Sequence, residues 1–171
     1  LKQFKSNGTT AIPVGGATAE ASFLLAADLG DPDISDLLYL QIEVQPIGTA
    51  FNNQPNFSQA TGSVNPQPCL NQSSDCGKVT VNGLTRSRTY HWQARVRDNH
   101  GGVSGWVSFG ANDESATDLL LSGTAASISK IQGDTQSGVV NTILPVQLGV
   151  RVLDGNSLPV AGYSVVWSVV N

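Results

Sequence analysis

The run DLGDPDISD sets Asp28, Asp31, Asp33 and Asp36 close together. Hard carboxylate oxygens at such spacing are what calcium takes as ligands. Ile34 and Ser35 stand where a further acid and a glycine would complete a calcium loop. The competing reading is a solvated turn whose aspartates cap backbone amides. Further along, Asp113, Glu114 and Asp118 could stiffen a junction through a cation, or form an ordinary acidic connector. His91 and His100 are the only imidazoles, and neither has a cysteine or acid at zinc-ligand spacing. Ser104 lies in GGVSGW, where Trp106 occupies the last glycine position of a nucleophile elbow. No phosphate-binding loop or dinucleotide fingerprint occurs, and bunched aspartates are not the paired carboxylates of a glycosidase. The chain therefore reads as a non-enzyme that requires no cofactor, with calcium as the one candidate ion.

Cys69 and Cys76 are the two cysteines. In an oxidising compartment they would close a small loop worth about 2–3 kcal/mol. Two free thiols, or half of a metal site, are the alternatives.

These residues sit in a chain of 171, with 40% hydrophobic and only 13% charged residues and a net charge of −4. A chain of this length buries about 70% of its unfolded surface. The polar residues are mostly Ser, Thr, Asn, Gln and Gly, the composition of an extracellular β protein. The acidic balance speaks against nucleic acid as a partner, and no apolar run is long enough for membrane insertion. The start, LKQFKSNG, has neither Met nor an apolar leader, so the chain reads as processed or excised.

Short β-branched runs between Gly, Pro, Asn and Asp clusters point to an all-β fold. Expected strands are Thr9 to Val14, Ala19 to Ala27, Leu37 to Gln45, Lys78 to Val81, Arg88 to Arg97 and Gly105 to Phe109. They suggest a β-sandwich over 9–110 with one strand unassigned, preceded by a linker or leading strand at 1–8. A long connection rich in Asn, Gln, Pro and Ser fills 46–77. Its Phe51 and Phe57 either form a contact surface or pack down on the sandwich. An acidic connector is expected at 111–124. A partial second domain follows at 125–171, with strands at Ala126 to Gln132, Val146 to Leu153 and Tyr163 to Val170.

Alternation gives Tyr90, Trp92, Ala94 and Val96 one face, the core, and His91, Gln93, Arg95 and Arg97 the solvent face. That outward stripe either solvates the sheet or meets an anionic glycan or a protein subunit. Tyr90 can fold over the corner between two sheets and donate its hydroxyl to backbone just upstream, with Leu84 beneath.

The Leu84-x5-Tyr90 spacing, the alternation to Arg97 and DNHGGVSGWVSFG with Trp106 resemble the last strands of a fibronectin type III domain. The version it resembles is common in bacterial secreted and cell-surface proteins. Phe23 stands where that family usually has a tryptophan. The resemblance implies a fibronectin type III/immunoglobulin-like β-sandwich with a structural tyrosine at Tyr90 and core residues Trp92 and Trp106. The run AASISKIQGDTQSG through VRVLDGNSLPVAG to YSVVWSVV resembles the first half of a bacterial immunoglobulin-like domain of the invasin and intimin type. It implies a second, incomplete sandwich.

Together these features lead to the expectation of a structural or adhesive segment of a bacterial extracellular or cell-surface protein, acting through protein partners or self-association. One alternative is a carbohydrate-binding or spacer module of a secreted polysaccharide-degrading enzyme. With Trp92 inward and Trp106 and Trp167 in strands expected to be covered, few aromatics are left to hold a glycan. Another alternative is a filament subunit that completes its partial domain by strand exchange.

Overall fold

The computed structural model describes residues 1–33, 35–59, 69–70, 77–139 and 141–168, with 69 and 70 as backbone only. The chain is all-β. Its strands are β1 (Lys2–Lys5), β2 (Gly16–Thr18), β3 (Ser22–Ala27), β4 (Leu37–Pro46), β5 (Phe57–Ser58), β6 (Cys69–Leu70), β7 (Gly77–Asn82), β8 (Arg88–Asp98), β9 (Val107–Ser108), β10 (Leu119–Leu121), β11 (Ala125–Gln132) and β12 (Gly149–Asp154). One sheet has the order β1-β3-β7. The other has the order β2-β10-β8-β4-β5, with β6 also on β4 and β9 on β8. Strands β11 and β12 form a separate antiparallel pair.

The core lies between the first two sheets and follows a period of two along each strand. Phe23, Leu25 and Ala27 of β3 and Val79 and Val81 of β7 supply one side. Leu38, Leu40, Ile42 and Val44 of β4, Tyr90, Trp92 and Ala94 of β8, and Leu119 and Leu121 of β10 supply the other. Trp92 is the largest fully buried side chain, stacked on Phe109 with centroids 4.7 Å apart. Tyr90 donates its hydroxyl to the Thr85 carbonyl at 2.7 Å, and Leu84 packs against the core cluster just upstream.

Several sequence expectations are corrected. Of the linker and the leading strand open for 1–8, the strand is present as β1, whose KQFK pairs with β3, whereas the strand expected at Thr9 to Val14 is a return that only bridges back to β1. The expected connector contains β10, which pairs antiparallel with β8 and parallel with β2. It is thus part of the sandwich and supplies the missing strand. Trp106 is not a core residue. It lies just ahead of β9 on the outer face, half-buried beneath the Arg95 guanidinium, which sits 4.7 Å from the ring centroid. Phe109 takes the inward place. Residues 163–168 form no strand, since neither β11 nor β12 pairs with them. Residues 169 and 170 of that expected strand lie outside the described residues.

Candidate functional site

Acidic groups stand at three places. Carboxylate oxygens of Asp31, Asp33 and Asp36 lie within 4.8 Å of one another. Asp28 is not in this group and forms an ion pair with Lys2 at 3.5 Å. The Asp33 amide donates to Asp31 Oδ1 at 2.9 Å and the Asp36 amide to the Asp33 carbonyl, the pattern of a capped turn. His100 Nδ1 sits 3.1 Å from the buried Asp36 carboxylate. Three carboxylates are a partial calcium set, since calcium takes about six to eight oxygens. Asp113, Glu114 and Asp118 do not converge. Asp113 caps Ser115, Glu114 meets His91, and Asp118 is buried, accepting from the Trp92 amide and from Asn112 Nδ2. Burial pushes the Asp118 carboxyl up, against hydrogen bonds from Trp92 and Asn112. Ser104 Oγ donates to the Gly105 carbonyl and accepts from the Val96 amide. Cys76 and the Cys69 side chain lie outside the described residues, and no disulfide occurs within them.

The expected solvent stripe of β8 is largely covered, a further correction. His91 and Gln93 are buried, because the connection from β4 to β5 folds back over the outer face of the sheet. Phe51 stacks on the His91 ring at 4.1 Å, and Phe57 packs against the core cluster. The two phenylalanines thus hold the connection down and do not project from it. Beneath it lies Glu43, fully buried, with one carboxylate accepting from Gln45 Nε2, Gln93 Nε2 and the amides of Asn52 and Asn53 at 2.8–2.9 Å. Burial pushes the Glu43 carboxyl up, but these hydrogen bonds outweigh it and hold it below the ordinary glutamate value.

The Asn- and Gln-rich composition of this connection has a structural use. Asn56 Oδ1 accepts from the Val44 amide and its Nδ2 donates to the Val44 carbonyl. Gln59 pairs in the same way with Leu40, through its side-chain oxygen and its own amide. Side-chain amides here complete the ladder of β4 where a further strand residue would.

The sandwich meets the β11–β12 pair at a polar joint. Asp154, buried at the end of β12, accepts from Ser87 Oγ at 2.6 Å and the Gly123 amide at 3.1 Å through one oxygen. The other oxygen accepts from the Asn156 and Leu158 amides. The Ser87 hydroxyl and these amides hold the carboxyl below its usual value. Gly123 is tight because a Cβ there would lie 2.6 Å from Asp154 Oδ2 and 2.5 Å from Ser87 Oγ. Asp154→Ala is expected to leave sandwich stability nearly unchanged while releasing the joint. Residual dipolar couplings should then require separate alignment tensors for the two parts, where the native chain fits one.

Beyond the joint, apolar side chains face solvent. Ile128, Ile131, Val139, Ile143, Val146, Leu148, Tyr163, Val166 and Trp167 are all exposed, Ile143 at 97% and Val166 at 92%. Residues 163–166 line a cleft of about 260 Å³ with Ala125, Ala126, Ser127, Ile128 and Val152. Compared with known proteins, the chain matches no family model, no curated protein and no solved structure. Among the described residues, the aspartate turn, the Glu43 network and this apolar segment stand out as candidate sites, and the last holds most of the exposed large apolar side chains. The strongly apolar run from Tyr163 onward was the signal for it; its exposure depends on the pairing that the structure supplies.

Proposed function

We propose that the chain is a non-catalytic structural and adhesive segment of a bacterial extracellular or cell-surface protein, acting by contact with other protein surfaces. The observation that carries this reading is the exposed apolar series of 125–168 beside a sandwich whose core is packed between its two sheets. Soluble domains seldom leave large contiguous apolar patches open, and such patches mark association surfaces. The Leu84 and Tyr90 corner and the division into two packed sheets support kinship of the sandwich with fibronectin type III and immunoglobulin-like modules. The β11–β12 pair then corresponds to part of a second such module.

A second reading is favoured by one segment. Tyr163 to Ser168 is rich in β-branched and aromatic residues yet pairs with no strand among the described residues. Strand exchange between copies would give it a partner and generate a filament.

Sedimentation velocity across a wide concentration range tests both. Association is the expected result, and Ile128→Asp or Val166→Asp should weaken it at least tenfold while leaving sandwich unfolding unchanged. Growth without limit favours the filament, and a closed dimer favours simple contact. A chain that stays monomeric and instead binds polysaccharide, losing that binding in Trp167→Ala, would overturn both readings and favour the accessory module.

A further inference from the structure

His91 is 4% exposed, and its two ring nitrogens both face acceptors. Nε2 is 2.9 Å from the Thr49 carbonyl and Nδ1 is 3.0 Å from Glu114 Oε2. A carbonyl can only accept, and an ionised carboxylate can only accept. A neutral imidazole carries one N–H and can satisfy one of these partners; an imidazolium carries two and satisfies both. Phe51 stacks on the ring, a contact that a positive charge strengthens.

We propose that His91 sits here as the imidazolium and acts as a pH-sensitive latch, joining two excursions of the chain to the outer sheet face. One excursion is the connection from β4 to β5, gripped at Thr49 and Phe51. The other is the connection from β9 to β10, gripped at Glu114, whose second oxygen accepts from Ser108 Oγ. The charged groups around the ring are acidic. Glu114 touches it, Asp118 lies within electrostatic reach, and Glu43 of β4 stands one rung along the same face behind Gln93. On loss of the proton the remaining N–H stays with the carboxylate of Glu114, the stronger acceptor, so Thr49 loses its donor and the excursion from β4 to β5 loosens while the core between the sheets is untouched.

The test is imidazole ¹⁵N NMR of the intact chain from pH 5 to pH 9, read together with amide exchange corrected for its intrinsic pH dependence. Two protonated nitrogens are expected at the acidic end. As the ring deprotonates, exchange at Thr49 to Asn53 should rise about tenfold, the effect of losing one charge-assisted hydrogen bond. Exchange in β3 and β7 should not change. Glu114→Gln, at a half-exposed position, should move the midpoint of both transitions to lower pH together. The latch is overturned if the ring carries one proton throughout. It is equally overturned if the loop exchange is flat through the ring transition, or if Glu114→Gln leaves the midpoint where it was.

Discussion

Glu43→Ala is expected to destabilise the sandwich by about 2–3 kcal/mol, because it removes the buried charged acceptor on which four donors converge, of which Gln93 Nε2 alone keeps another acceptor, Asn53 Oδ1. Two of those donors are backbone amides, of Asn52 and Asn53, and two are the side-chain amides of Gln45 and Gln93. Urea unfolding measures the loss, and amide exchange should show it concentrated over residues 47–56 before the core opens. Glu43→Gln keeps the shape but turns an NH2 toward donors, so it should recover only part of the stability. Acid tests the same group. Its folded value lies below the unfolded one, so its contribution is complete above about pH 4.5 and is lost as pH falls through the folded value. Native stability should therefore fall on acidification below that point, and Glu43→Gln should show a shallower fall. An equal slope in both would mean that the carboxylate is not held by this network.

Trp92→Ala should cost about 3–5 kcal/mol, a large part of the roughly 5–15 kcal/mol that a domain of this kind has. The indole fills the space between the sheets, stacks on Phe109 and donates through Nε1 to Gln3 Oε1 at 3.2 Å. Gln3 in turn donates to the carbonyls of Pro13 and Asp118, so one side chain ties the first strand to both neighbouring segments. Trp92→Phe keeps an aromatic partner for Phe109 but strands the Gln3 oxygen, and about 1–2 kcal/mol is the expected loss. Thermal unfolding followed by near-ultraviolet circular dichroism reads both. If the alanine variant loses less than 1.5 kcal/mol, a threshold set at the low end of large-to-small core changes, the indole is not the centre of this core.

What the sequence conveyed most clearly was inward alternation. Leu38 to Val44 and Tyr90 to Ala94 are strands whose apolar side chains repeat every second position, and the tyrosine hydroxyl lies on the carbonyl five residues upstream. Alternation identifies a face but not what covers it. His91 and Gln93 read as solvent-facing because the covering connection is distant in sequence and composed of residues that usually mark loops. Strand β10 escaped notice and β1 was left open between linker and strand. KQFK is polar, and Leu119 to Leu121 is short and follows acids, so only their neighbours in the sheet make them strands. The aspartate turn was visible as a cluster, but Asp28 left it for Lys2, a choice made by the packing of β1. The place of Asp154 in a joint was not legible, because it depends on Ser87, far away along the chain.

The parallel pairing of β2 with β10 governs how the sandwich responds to tension. Gly16 to Thr18 and Leu119 to Leu121 run side by side in the same direction. Pulling the chain from both ends drags these strands past each other along their common axis, so their hydrogen bonds strain in parallel and must fail together. A hairpin opened from one end would yield one bond at a time. Because β10 leads through Gly123 into the polar joint, a pull from the C-terminal segment reaches this shear contact directly, and the sandwich answers it as a stiff link in a chain.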